Sequence, residues 1–190
     1  MPPFLLNYLS SFRAIVITWP LIAGVLVLPV LAWQYRCSGE LRWSRALTLY
    51  FFILCLLSLV LFTTLPLPND FDAYCAARNR PVLLIPFRFI IPSLHYGNLW
   101  DVLQILLNVL VFVPFGIYAR TLLRLTPQRT LLLGLGVSLL IEATQFSALW
   151  GLAPCRYRVA DIDDVILNVF GTWLGVLAAR VLISSQKAAS

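Results

Sequence analysis

The sequence predicts an all-α fold, a polytopic transmembrane helical bundle with about five spans. Three observations carry that expectation. Of 190 residues, 61% are hydrophobic and only 12% are charged, about half the charged share of a soluble domain. Too little polar surface remains to cover a water-soluble globule, and a disordered chain is excluded on the same ground. Apolar runs long enough to cross a hydrocarbon core of about 30 Å recur along the chain. The net charge of +6 comes singly or in small groups between those runs. That pattern fits membrane topology rather than a nucleic-acid-binding face, so no nucleic-acid partner is expected.

Five apolar runs, 14–33, 46–65, 102–118, 130–150 and 165–183, read as spans. The third is the shortest and carries Asn108 and Pro114. A sixth apolar stretch, 82–94, is interrupted by Pro86, Arg88 and Pro92. It is too short to span and is expected on the membrane surface or as a shallow re-entrant segment. The first 33 residues lack a basic leading region and a clear cleavage site, which points to a first span or signal anchor.

Orientation follows from the arginines of the short loops. Segment 34–45 holds Arg36, Arg42 and Arg45, and segment 119–129 holds Arg120, Arg124 and Arg129. The longer segments 1–13, 66–101 and 151–164 together hold Arg13, Arg78, Arg80, Arg88, Arg156 and Arg158. The denser side is assigned to the cytoplasm, with the N-terminus outside and the C-terminal tail inside. Trp33, Trp43, Trp100 and Trp150 fall at span ends, where amphipathic rings sit. Cys75 and Cys155 then share the outer face, where an oxidising medium permits a bridge between two loops. Four free thiols are the alternative.

Polar residues inside the spans recur at steps of three and four. The third span has Asp101, Gln104 and Asn108; the fourth has Gly134, Ser138, Glu142 and Gln145; the fifth has Asp161, Asp164, Asn168, Gly171 and Gly175. Such steps keep side chains on one helix face, and lipid offers that face no hydrogen-bond partner, so it turns inward. At a rise of about 1.5 Å per residue, Asn108 lies about 10 Å below Asp101 and Asn168 about 6 Å below Asp164. On the same arithmetic Glu142 and Gln145 lie about 12 and 8 Å below Trp150. These residues are expected to converge in the outer half of the membrane, beneath a mouth formed by Arg156, Arg158, Asp161, Asp163 and Asp164.

Each feature also has a purely structural reading. Asn108, Gln145 and Asn168 could be interhelical hydrogen bonds, and Gly171 with Gly175 a close-packing surface within or between monomers. Asp161, Asp163 and Asp164 could be a solvated helix start at a positive dipole end. Glu142 stands apart, because a carboxyl within a span costs a few kcal/mol or more unless protonated, hydrated or paired. Pairing with Arg158 is its structural alternative. No Cys/His arrangement resembles a zinc site, since His95 is the one histidine.

Three segments together resemble a known family. The run from Arg158 through Asp161, Asp163, Asp164, Asn168 and Gly171 to Gly175 is similar to the closing motif of the VanZ-like membrane proteins. Asn108-Val-Leu-Val-Phe-Val-Pro-Phe-Gly116 resembles that family's third-span motif, and Glu142-Ala-Thr-Gln145 resembles its E-x-x-Q helix. The resemblance divides the chain into an N-terminal span and cytoplasmic loop at 1–45, a VanZ-like domain at 46–183 with a long outer loop at 66–101, and a cytoplasmic tail at 184–190. It implies a bacterial, multi-pass protein of the cytoplasmic membrane, in a family named for resistance to the glycopeptide antibiotic teicoplanin.

The leading expectation is therefore a binding or modulating protein of the cell envelope. Its binding residues are Asn108, Glu142, Gln145, Arg158, Asp161, Asp164 and Asn168, with Gly116, Gly171 and Gly175 packing the helices. The expected partners are membrane lipids, with a lipid-linked cell-wall precursor or a lipoglycopeptide as further candidates. An intramembrane hydrolase or transferase with Glu142 as acid/base is the alternative. In it Asp161, Asp163 and Asp164 are weak candidates for holding Mg²⁺. A small proton-coupled transporter is a third reading, disfavoured by the lack of an internal repeat. No cofactor is expected.

Overall fold

The structure, a computed structural model, describes residues 3–39, 43–64, 67–68, 70–77, 82–97 and 99–188. Of the arginines used for orientation, Arg42, Arg78 and Arg80 lie outside the described residues. Two compact units divide the chain, 1–66 and 67–190.

The first unit consists of α1 (Pro3–Ser38) and α2 (Trp43–Thr64), which pack on each other. Pro20 and Pro29 lie inside α1, as membrane helices tolerate. Ala23 of α1 and Leu59 of α2 are buried, whereas Leu21, Val25 and Leu28 stand exposed.

The second unit contains α3 (Phe71–Ala77), β1 (Val82–Leu83), α4 (Ile90–Tyr96), α5 (Leu99–Thr121), α6 (Pro127–Phe146), β2 (Ala160–Asp161) and α7 (Ile162–Ala188). Its long helices start and stop where side chains satisfy their free backbone groups. Thr126 caps α6, its hydroxyl accepting the Arg129 N–H, and Pro127 takes the first turn, where no N–H is needed. Asp70 Oδ1 accepts the Ala73 N–H at 2.9 Å and opens α3. At the far end of α5, Arg124 enters the left-handed region and the Arg120 guanidinium donates to the Leu125 carbonyl.

Among the described residues, four helical stretches are long and apolar enough to cross a membrane: Ile17–Cys37, Leu99–Thr121, Pro127–Phe146 and Ile162–Ser184. The run expected at 46–65 falls in α2 up to Thr64, with residue 65 outside the described residues, and its apolar stretch is Ala46–Leu59. The interior of the second unit mixes apolar side chains such as Phe112, Phe115 and Val176 with polar ones. Thr130, Ser138, Asn168 and Thr172 are buried, while Leu110, Leu132, Leu140 and Val181 face outward. A chain that hides hydroxyls and amides and displays leucines is built for an apolar solvent.

The helical reading needs two additions. β1 and β2 form a parallel pair, Val82 opposite Ala160 and Leu83 opposite Asp161, which ties the long loop to the start of α7. The expected fourth span also ends early. Helix α6 stops at Phe146, and Ala148, Leu149 and Trp150 follow with φ of 53°, 57° and 60° before Gly151 at 82°. Left-handed backbone costs L-residues about 1–2 kcal/mol each. Here the turn is held by hydrogen bonds from Leu149 N to the Thr144 carbonyl and from Gly151 N to the Ser147 carbonyl.

Candidate functional site

Helix α7 begins with Asp161 as its cap. The Asp161 Oδ1 accepts the Asp163 N–H at 2.9 Å, satisfying one of the free donors of the first turn. The Asp161 N–H in turn donates to Glu142 Oε2 at 2.8 Å, joining the last turn of α6 to the first residue before α7. Glu142 Oε1 is buried and has no hydrogen-bond partner among the described residues. Burial pushes the Asp161 carboxyl up from its ordinary pKa; the bond from Asp163 N–H opposes that rise, and the Asp163 charge adds to it.

A second link crosses to α5, where Asn108 Nδ2 donates to Asp164 Oδ1. Arg158 lies within electrostatic reach of Asp164 and of Tyr157, and Glu142 within reach of Asp161 and Asp164. Asn108, Glu142, Arg158, Asp161 and Asp164 thus form one cluster at the α6–α7 end of the unit. Asn168 lies a turn deeper along α7 and donates to Ser138 Oγ at 2.9 Å, while its carbonyl accepts the Thr172 hydroxyl at 3.0 Å. Gln145 sits three residues beyond Glu142 on α6, partly buried. Because α6 ends at Phe146, Glu142 lies only about 6 Å from the helix end, half the depth expected below Trp150.

Asp163 has a role that its weak candidacy as a metal ligand did not anticipate. Its side chain is fully buried, and its two oxygens accept three backbone N–H groups of a distant turn: Phe87 at 2.5 Å on Oδ1, Phe89 at 2.8 Å and Ile90 at 3.1 Å on Oδ2. Phe87 has a φ of 63°, and a left-handed residue followed by right-handed ones turns successive N–H groups toward one point. The Asp163 carboxylate fills that concavity and caps α4. Among the described residues no group of three His, Cys, Asp or Glu is arranged to hold a metal ion.

The long loop is fastened to the α6–α7 connection at further points. Cys75 and Cys155 are bonded, with Cα atoms 5.8 Å apart. The Tyr74 hydroxyl donates to the Tyr157 carbonyl at 2.9 Å, and the Phe71 and Tyr157 rings meet edge to face at 5.8 Å. The described residues 71–77 and 82–97 are therefore tied as a cap to the α6–α7 connection and the start of α7. The tyrosines and the β1–β2 pair left no spacing signal in the sequence. Asp163 left a faint one, as an acidic residue two positions after a capping Asp.

Gly116, Gly171 and Gly175 set the α5–α7 approach within one chain. A Cβ on Gly171 would lie 2.2 Å from the Val109 carbonyl oxygen, and one on Gly175 at 2.2 Å from that of Val113. On Gly116 it would meet the Thr172 carbonyl oxygen at 2.4 Å. Gly134 plays the same part between α6 and α7, against the Thr172 side chain. The helices are close enough for Asn108 to reach Asp164 because these positions carry no side chain.

The family model described as VanZ/LLP1 matches residues 51–183. No curated protein and no solved structure matches the chain.

Proposed function

The chain belongs to the VanZ-like family, and from that premise we propose that it binds or modulates an amphiphile of the bacterial envelope. In this reading α1, α2, α5, α6 and α7 cross the cytoplasmic membrane with the N-terminus outside. The arginine bias of 34–45 and 119–129 supports that orientation, and the 22 residues of α2 reach about 33 Å. The cluster of Asn108, Glu142, Arg158, Asp161 and Asp164 then lies in the outer half, beside the cap of residues 71–77 and 82–97.

One observation carries the reading. Glu142 keeps one oxygen on the Asp161 N–H and leaves the other buried without a partner among the described residues. A buried carboxyl oxygen without a donor costs about 1–3 kcal/mol or more, which a hydroxyl, amide or amine of an entering molecule would recover. Such donors belong to the polar part of an envelope lipid, a lipid-linked cell-wall precursor or a lipoglycopeptide of the teicoplanin type.

The test compares cells carrying the wild-type chain or Glu142→Gln for teicoplanin susceptibility, and the purified proteins for bound lipid. Glu142→Gln should remove the change in susceptibility and the co-purifying lipid at unchanged membrane abundance. Retention of both overturns the proposal. The same open oxygen favours a second reading, an intramembrane hydrolase or transferase with Glu142 as acid/base. Turnover of envelope lipid by purified protein, abolished by Glu142→Gln, would select it.

A further inference from the structure

The cap segment 84–96 has a surface that the polar cluster does not use. Both of its ends are pinned at the level where spanning helices begin. At one end β1 pairs with β2 immediately before α7, and Asp163 in the first turn of α7 holds Phe87, Phe89 and Ile90. At the other, α4 ends at Tyr96 and α5 starts at Leu99. Its height along the bundle is therefore fixed to the starts of α5 and α7.

Between these pins the segment turns apolar side chains outward. Leu84 is 72% exposed, Ile91 59% and Leu94 61%, and Ile85 and Phe87 are exposed as well. Asp163 satisfies the polar backbone of the turn from within, so the outer face offers mainly hydrocarbon. A patch of this kind in water would be costly. At the rim of a bilayer it matches an interfacial segment, buried about 5–10 Å into the boundary between headgroups and acyl chains. Arg88, Tyr96 and Asp101 line a groove beside the same segment; a basic stem and a phenol suit headgroup depth.

We propose that segment 84–96 docks into the lipid leaflet around the starts of α5 and α7, as an interfacial anchor that Asp163 holds in place. Ile91 and Leu94 enter the acyl region and Arg88 meets lipid phosphate. The proposal rests on the reading of α5 and α7 as spanning helices. It adds a second membrane contact, one made by the cap itself.

Spin labels placed in bilayer nanodiscs test it, with Cys37 and Cys55 replaced by serine. Labels go on Ile91→Cys and Leu94→Cys, with Leu110→Cys midway along α5 and Asp72→Cys on α3 as references. Collision with dissolved oxygen reports lipid, and collision with a water-soluble nickel chelate reports water. Labels at 91 and 94 should favour oxygen several-fold over the label at 72 and lie shallower than the label at 110. If they behave as the label at 72 does while 110 reports lipid, the anchor is refuted and the spanning reading survives. If 110 also reports water, the spanning reading itself fails. Low collision with both reagents at 91 and 94 would mean that protein covers the segment, which also overturns the proposal.

Discussion

The Asp163 carboxylate on α7 accepts the backbone N–H of Phe89, 74 residues earlier in the chain, at 2.8 Å. With the Phe87 and Ile90 N–H groups on the same carboxylate, one buried side chain holds a turn that belongs to a different part of the sequence. Each hydrogen bond to a charged group contributes about 1.5–3 kcal/mol. Asp163→Ala leaves these three donors without their acceptor and should destabilise the protein by about 3 kcal/mol or more, at about 1–3 kcal/mol for each donor left unsatisfied. Amide exchange at residues 87–90 should accelerate far more than exchange in the middle of α5; equal protection in the variant would show that the turn stands without Asp163.

Two glycines allow a paired comparison. Gly175→Ala puts a methyl 2.2 Å from the Val113 carbonyl oxygen and 2.9 Å from Gly116 Cα, whereas Gly136 has open space around it. Forced overpacking costs about 1–3 kcal/mol, and a glycine replaced by alanine in an open helical site gains up to about 1 kcal/mol. Heated in detergent, Gly175→Ala should lose its monodisperse fraction at lower temperature than wild type, and Gly136→Ala should not.

The Cys75–Cys155 bond closes a loop with a sequence separation of 80. Loss of a native disulfide typically costs about 2–5 kcal/mol. Cys155→Ser should lower thermal stability in that range, yet the cap should stay in place, because Tyr74 still reaches Tyr157 and β1 still pairs with β2. A thiol reagent should modify only Cys37 and Cys55 in unreduced, unfolded protein, and Cys75 and Cys155 as well after reduction. Four reactive thiols without reduction would remove the bond.

Asn168 and Ser138 form a buried side-chain pair between α7 and α6 at 2.9 Å. Interhelical pairs of this kind average about 0.6 kcal/mol in membrane proteins, with a maximum near 1.7. A cycle of Ser138→Ala, Asn168→Ala and the double variant should return a coupling of about 0.6–1.7 kcal/mol. Coupling near zero would mean that the two residues are bystanders.

Asp161 gives the protein a pH dependence with a definite sign. Burial raises its folded pKa above the ordinary value of 3.8, so the folded state holds the proton more tightly than the unfolded chain. The associated stability is fully present below pH 3.8 and is lost as pH rises through the raised folded value. Asp161→Asn should flatten the stability profile across that window in denaturant titrations; an unchanged slope would assign the dependence to other groups.

The parts of this architecture legible in sequence were those set by periodicity. The steps of three and four in α5 and α7 identified Asn108, Asp164, Asn168, Gly171 and Gly175 as inward, and the structure has Asn108 on Asp164 and both glycines against α5, whereas Gln104 of the same α5 stripe is exposed. Long apolar runs likewise marked α5, α6 and α7 to within a few residues. What periodicity could not carry was nonlocal backbone chemistry. The partners of Asp163 are main-chain N–H groups, which any sequence supplies, and they point at it only because Phe87 adopts a positive φ without being glycine. The left-handed turn at 148–150 is equally silent, since Ala, Leu and Trp are not residues that announce it. Hydropathy therefore carried the fourth span on to Trp150, beyond the end of α6.

The dominance of α5–α7 packing over α5–α6 packing bears on the order in which the chain can be assembled. Helix α6 follows α5 out of the ribosome, but the surface that accommodates Gly116 and the carboxylate that receives Asn108 belong to α7, synthesised after both. Until α7 is delivered, α5 holds an amide and a glycine-lined face for a neighbour that does not yet exist. The backbone donors of residues 87–90 wait for the same arrival. Biogenesis of this domain is thus closed from its C-terminal end, and a nascent chain arrested before residue 161 should remain in the care of the insertion machinery rather than partition as a finished bundle.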